Sequence, residues 1–449
     1  MKITHLVSAT EVVELNSVRI LADPWLVDGE YYGSWCHYPP YDDNICDLNA
    51  VDFIYVSHIH PDHCSARTLD KISRDIPVLI HRYEAPFLKR KIQSLGFLVT
   101  ELPNDERTHL KDGVFINIIA ADNCNPKVCG KSFGCSFNPL LSGGSKQIDS
   151  LCVIDNGDEV LVNVNDCPFP IAYEALKRVV SQYQNVDFLL LGYGSASLYP
   201  HCMMDYDKAA MEKAMSVVRL RDLDRALKTI TVLKPRYYMP FAGTYVLGGS
   251  LFALNENLPL PELQEAVEWL ESQEDIKLSK AKSVLLNMGE SFDLGSESQT
   301  ATYVPIDKAK RKEYIRSNLA KIAYDYEGDP RPELEDFAAI LPAAFDRFVR
   351  KRAEQDVSVQ TKVHIRLTET EMVTLDCESA EYKIGICDKD LLVPPYIYFE
   401  MDPKLFLRVL KGPRFAHWNN VEIGAHVRVA RDPDIYEQEI HFMLCHFHA

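Results

Sequence analysis

The chain has 449 residues, 47% of them apolar and 25% charged, with 48 Lys and Arg against 65 Asp and Glu for a net charge of −17. That length predicts more than one domain, and the acidic balance argues against a nucleic-acid-binding surface, which needs a basic stripe to displace counterions. No apolar run reaches the roughly 18 residues of a membrane span, and the amino terminus lacks the marks of a secretion signal, so a cytoplasmic protein with mostly reduced cysteines is expected.

Taken in order, Leu6 to Leu15 and Val18 to Leu21 are apolar runs broken by polar turns, and Val51 to Val56 is a β-branched and aromatic strand. Between them Asp23-Pro24-Trp25-Leu26 opens an aromatic loop. Its Trp25, Tyr31, Tyr32 and Trp35 either stack on a substrate or cover a sheet edge. Helices are predicted over 66–74 and 84–95, and strands over 76–80, 97–102 and 114–120. A Cys-, Gly- and Ser-rich stretch over 122–147 then reads as a loop, long enough to suggest a function. Its Cys124, Cys129 and Cys135 match no zinc or iron–sulfur spacing and read as free thiols.

Asn156-Gly157 is a hairpin signal joining strands at Ser150 to Ile154 and Glu159 to Val164. A helix over 170–182, a strand over 186–191, a long helix over 207–233 and a strand at Tyr237 to Pro240 complete this unit. The alternation predicts two sheets sandwiched between helices over residues 1–295. Residues 296–335 read as a polar linker with an exposed helix, and 336–449 as a smaller α+β domain. There His441, His446 and His448 are read as one polar face of a strand.

Chemistry concentrates in His58-Ile-His60-Pro-Asp62-His63. It follows a buried-looking strand and offers four ligand-capable groups within six residues. Imidazoles with a carboxylate suit Zn²⁺, Fe or Mn²⁺. A second carboxylate is needed to bridge two cations, and Asp166, just past the strand Val160 to Val164, stands where such a bridge belongs. Its alternative role is to cap the following helix.

The H-x-H-x-D-H run resembles the metallo-β-lactamase superfamily. Further segments are Asp23-Pro24-Trp25-Leu26, Asn165-Asp166-Cys167, Ser195-Ala196-Ser197 with Tyr199-Pro200, Pro240-Phe241-Ala242-Gly243 and Arg431-Asp432-Pro433-Asp434-Ile435-Tyr436. Together they resemble the CMP-N-acetylneuraminate hydroxylase family. The resemblance implies a metallo-β-lactamase αββα sandwich and an iron-dependent monooxygenase acting on the N-acyl group of a nucleotide sugar. The paired Cys-x-His and Cys-x-x-His of that family's Rieske domain occur nowhere in this sequence. Electrons are therefore expected from a separate reductase or ferredoxin, or from the substrate itself.

Asn125 stands where the family carries a His ligand, and His201 where it carries none. One histidine lost and one gained suggests a rearranged ligand set. The expectation is thus an enzyme with two irons (Zn or Mn as alternatives), O2 as co-substrate and a small-molecule substrate. His58 and His60 would hold one ion, Asp62 and His63 the other, with Asp166 bridging and His201 a further ligand. Asp62 and Asp166 would also serve catalysis. A zinc or manganese hydrolase of an ester, amide or phosphodiester is the alternative.

Overall fold

The computed structural model describes residues 1–83, 85–121 and 149–449. Two mixed sheets face each other. The first runs Ser298–Gln299, Ser291–Asp293, Lys2–Val7, Thr10–Leu15, Val18–Ala22, Phe53–Tyr55, Val78–His81 and Val99–Leu102 in spatial order. The second runs Lys282–Ser283, Tyr237–Phe241, Phe188–Gly192, Val160–Asn163, Ser150–Asp155, Phe115–Ala120 and Thr108–His109. In each, an antiparallel portion gives way to parallel strands, at Val18–Ala22 with Phe53–Tyr55 and at Val160–Asn163 with Phe188–Gly192. Parallel neighbours direct their carboxyl ends to one edge, where α/β proteins place their ligands.

Alternation makes the strands two-faced. Ile3, Val13, Ile20 and Tyr55 meet Ile118, Cys152, Leu161 and Leu190 between the sheets. The opposite face of the second sheet is covered by helices Phe169–Gln182 and Lys208–Leu233. The latter turns Met211, Ala214, Val218, Leu223, Ala226, Ile230 and Leu233 inward at helical spacing. Ala66–Leu69 and Phe87–Ser94 flank the outer face of the first sheet. The layers are helix, sheet, sheet, helix, the metallo-β-lactamase sandwich. Gly157, with φ of +93°, makes the predicted hairpin turn between Ser150–Asp155 and Val160–Asn163.

A third sheet, in the order Glu381–Ile386, Glu371–Asp376, Lys362–Arg366, Tyr396–Met401 and Val427–Asp432, packs with helix Leu334–Glu354. Its core is continuous with the aromatic loop: Trp25, Tyr31, Trp35 and Tyr245 share one cluster with Phe337, Val363, Phe399 and Trp418. These loop aromatics thus pack between the sandwich and the third sheet. Trp35 stacks on Tyr245 at 3.6 Å, and its indole N–H donates to the Ile423 carbonyl. The polar segment after 295 is anchored too. Ser298–Gln299 edges the first sheet, and helix Lys308–Ser317 pairs Arg311 with Glu262.

The carboxyl-terminal histidines do not lie on a strand. Gln438–Leu444 is a helix that buries Gln438, Ile440, His441, Met443 and Leu444. Spacings of three and four, and not the pairing of His with Phe, decide its period. Among the described residues no helix is long and apolar enough to cross a membrane.

Candidate metal centre

The first-sheet strand ends at Tyr55, so His58 and His60 lie beyond it, His60 at a bend that leads into the turn at 61–63. Pro61 removes a ladder donor, and the turn closes through His63 N–H and Cys64 N–H donating to the His60 carbonyl at 3.1 and 2.9 Å. Ser65 then caps Ala66–Leu69 by accepting from Thr68 N–H. On the facing sheet Asn165 takes a φ of +50°, which bends the chain after Val160–Asn163 and presents Asp166. Asp166 is not a helix cap: Phe169–Gln182 begins at Pro168 with no side-chain cap.

Hydrogen bonds assign the protons on the three histidines. Ser57 Oγ spends its one hydrogen on Asp23 Oδ2 at 2.7 Å, so at 2.9 Å it accepts from His58 Nδ1. His58 Nε2 is left with a lone pair. His60 donates from Nε2 to Asn419 Oδ1 at 3.1 Å, which leaves its Nδ1 lone pair facing His58 Nε2 at 2.9 Å. His63 donates from Nδ1 to Asp23 Oδ2 at 2.9 Å. Its Nε2 is buried without a hydrogen bond, 3.2 Å from Asp166 Oδ2 and 3.4 Å from Asp62 Oδ2.

Two lone pairs pointed at each other repel unless a cation lies between them. Ligand atoms bound at about 2.1 Å to one cation stand about 3.0 Å apart at a right angle and about 3.4 Å at the tetrahedral angle. The separations of 3.2 and 3.4 Å fall in that range and that of 2.9 Å lies just below it. One ligand atom each from His58, His63 and Asp166 fits within 4.8 Å of the others. The donor set thus fits a borderline-hard divalent ion. Every imidazole also hands its other N–H to an acceptor, as ligating histidines do.

Electrostatics agree. Burial, then the neighbouring His63 and His60, push His58 well below its ordinary pKa; burial also lowers His60. Both are neutral and ready to ligate. Burial disfavours charge on His63 as well, but Asp166, Asp62 and Asp23 outweigh it and raise its pKa well above normal. Burial would raise Asp62 and Asp166; His63 instead holds both below the usual carboxylate range. Without metal, a proton on His63 offsets the carboxylates. Tyr31 donates its hydroxyl to Asp62 Oδ1, and its own pKa is raised by burial and by that carboxylate.

Five of the residues expected from the sequence are therefore neighbours: His58, His60, Asp62, His63 and Asp166. His201 makes no hydrogen bond to them and does not join the candidate ligand group of His58, His63 and Asp166 among the described residues. Its chain segment is tied to the third sheet, with Met204 N–H donating to the Val429 carbonyl and Val429 N–H to the Cys202 carbonyl. Its ring is buried near Arg428, and neither nitrogen has a hydrogen-bond partner. Asn125, Cys124, Cys129 and Cys135 lie outside the described residues.

Asp23 and Asn419 are not among the site residues expected from the sequence, and Tyr31, expected only as a loop aromatic, reaches the cluster through Asp62. Asp23 had a signal: it directly follows the strand Val18–Ala22, which lies beside the one that leads to the histidines. Asn419, far away in sequence, had none. The centre opens on a cavity of about 1040 Å³ whose walls include Tyr31, His60, Asp166, His417, Asn419 and His441. The carboxyl-terminal module therefore forms part of the chamber.

Fold and site together define a metallo-β-lactamase-fold protein with a histidine and aspartate cluster whose donors fit a metal ion. No protein-family model matches the chain. It is similar to a putative Rieske 2Fe-2S iron-sulfur protein of Mycobacterium tuberculosis, 29% identical over 254 residues, which are 54% of this chain and 44% of that protein. It is similar also to the cytidine monophosphate-N-acetylneuraminic acid hydroxylase of Mus musculus, 27% identical over 255 residues, 55% of this chain and 39% of that one. The chain thus spans less than half the length of these curated relatives. Among solved structures, an isothiocyanate hydrolase from Delia radicum gut bacteria aligns over 65% of this chain and 99% of its own, at 17% identity and a TM-score of 0.44.

Proposed function

We propose that the chain is a metal-dependent oxygenase that uses two irons to hydroxylate a small molecule, nucleotide-sugar-like in size, with O2. The observation that carries this reading is the similarity to hydroxylases at 26–27% identity over 255 residues. A donor set of imidazole and carboxylate, without thiolate, is what non-haem iron uses. Bound iron would supply O2 activation and electron transfer. Hydroxylation consumes two electrons and two protons beyond the substrate's C–H, and a separate reductase or ferredoxin is the proposed source of the electrons.

The residues of the chain have distinct tasks in this reading. His58 and His60 would hold one ion and Asp62 and His63 the other, with Asp166 as the carboxylate between them. Asp23 and Asn419 fix the imidazoles in their ligating tautomers, and Tyr31 steadies Asp62. The cavity volume suits burial of most of a drug-sized molecule. Arg221, Arg225, Lys351 and Arg431 on its wall are cations that suit a phosphate or carboxylate, each already ion-paired: Arg221 and Arg225 with Asp222, Lys351 with Glu354 and Arg431 with Asp434.

The same donors would serve a zinc or manganese hydrolase, in which the ions activate water. Metal analysis of protein expressed with iron and purified without oxygen separates the two. Two irons per chain and visible absorption that changes on exposure to O2 are expected. Zinc or manganese taken up in preference to available iron would turn the reading to hydrolysis. Asp166→Ala should lose at least one ion, and a variant retaining both would overturn the bridging role.

A further inference from the structure

A second cavity, of about 420 Å³, shares no wall residue with the metal chamber. Its floor is the third sheet. Ile365, Phe399 and Val427 turn into the core, so the next residue on each strand presents a charged row on the opposite face: Arg366, Glu400 and Arg428. Glu400 and Arg428 are direct cross-strand partners. Glu400 is nonetheless committed elsewhere, with Oε1 accepting from Arg366 at 2.6 Å and Oε2 from the Tyr398 hydroxyl at 3.4 Å.

Arg428 is left over. Its half-buried guanidinium makes no hydrogen bond or ion pair among the described residues; Nε is closed off, while the two terminal nitrogens are not. Those nitrogens belong to a planar fork that fits a carboxylate through two parallel hydrogen bonds.

The rest of the wall says what else the occupant must carry. Arg331 pairs with Glu369 at 2.7 Å, as Arg366 does with Glu400. Glu327 and Asp402, both exposed at the rim, have no ion-pair partner among the described residues. Each accepts one backbone N–H, from Tyr324 at 3.1 Å and from Lys404 at 2.8 Å. The Lys404 ammonium donates to the Glu327 backbone carbonyl and not to either carboxylate. The unmatched charges are thus one cation on the floor and two carboxylates at the rim. A plain anion is drawn by the first and repelled by the second, and a plain cation meets the reverse. A molecule bearing both charges suits both.

We propose that this cavity binds a small zwitterion of the free amino acid class, its carboxylate on the Arg428 fork and its ammonium toward Glu327 and Asp402. Leu251, Met401 and Pro403 give the wall an apolar portion for the side chain, which favours leucine, methionine or phenylalanine. The volume lies within the range of small-molecule sites. The site goes beyond the reading of the metal chamber and does not depend on it.

The test is calorimetric titration of the metal-loaded full chain with these three amino acids. At least one should bind with a Kd of about 1 mM or tighter. For leucine, the amine lacking the carboxylate (3-methylbutylamine) and the acid lacking the ammonium (4-methylpentanoate) should each bind at least about ten-fold more weakly. Arg428→Gln should weaken amino acid binding by about ten-fold or more, since it removes a charge-assisted pair. The exposed rim supplies a second variant that does not disturb the floor. Glu327→Gln combined with Asp402→Asn keeps the acceptors for Tyr324 and Lys404 and should erase the preference for leucine over 4-methylpentanoate. No binding of any of the three amino acids at about 10 mM overturns the proposal. Equal affinity in wild type and Arg428→Gln does so too, and is the result expected of an amino acid that merely chelates the metals. An unchanged preference in the rim variant overturns the placement of the ammonium and the zwitterion with it.

Discussion

Asn419 Oδ1 accepts the Nε2 hydrogen of His60 at 3.1 Å, joining residues 359 positions apart. This bond decides which nitrogen of His60 can ligate. Outer hydrogen bonds of this kind contribute roughly 10- to 100-fold to metal affinity. Asn419→Ala should therefore weaken binding at one site by about that factor. Asn419→Asp, which keeps the acceptor, should bind at least as tightly as wild type. Chelator competition followed by metal analysis measures both. Equal affinity in Asn419→Ala would mean that His60 needs no orienting partner.

Asp23 carries a heavier load. It accepts from Ser57 N–H and Ser57 Oγ at 2.7 Å each and from His63 Nδ1 at 2.9 Å. Asp23→Ala would strand three buried donors, each worth about 1–3 kcal/mol when left unpaired. A loss of about 3–5 kcal/mol in unfolding free energy is expected even with metal removed, since that is the usual cost of breaking a buried charged network. Denaturation in excess chelator checks it, because the loss cannot then be attributed to missing metal.

Much of the fold was legible in the sequence because the period of the strands and helices is local. The hairpin at Asn156-Gly157 and the helix found at Lys208–Leu233 are set by residues within reach of one another. The run His58 to His63 was legible for the same reason. What the third sheet brings to the site was not. Nothing near His60 announces Asn419, and nothing near Tyr31 announces that its carbonyl accepts from His426. The helix Gln438–Leu444 was misread because Phe442 and Phe447 between histidines imitate a two-residue period.

His426 provides a test of pH dependence. Its Nε2 donates to the Tyr31 carbonyl at 2.8 Å and its Nδ1 accepts from Tyr326 at 3.0 Å, so the buried ring is neutral, with its pKa pushed down by burial to about 4. The unfolded residue titrates near 6.5 and so binds a proton first as the pH falls. The stability tied to this ring is complete above about pH 6.5 and is lost progressively from there toward pH 4. At pH 5 the loss should be about 2 kcal/mol relative to neutral pH. Urea denaturation at pH 7 and pH 5 should show a smaller drop in His426→Gln than in wild type. Identical drops would assign the acid sensitivity to other groups.

His201 separates burial from ligation. Both ring nitrogens are buried without hydrogen bonds, and burial, reinforced by Arg428, pushes its pKa down to about 3. A neutral imidazole with two open nitrogens is an attractive ligand on paper, and a histidine gained where the family has none invites that reading. The segment's bonds to Val429 tie it to the third sheet, and neither ring nitrogen hydrogen-bonds to His58, His60, Asp62, His63 or Asp166 among the described residues. His201→Ala should therefore leave the number of bound metals unchanged. Stability is a different matter: the substitution leaves a cavity but removes two unsatisfied polar atoms, so the net loss should stay below the roughly 2–5 kcal/mol of a large apolar truncation. Metal analysis and denaturation of the one variant read the two outcomes separately, and a lost metal ion would restore His201 to the ligand set.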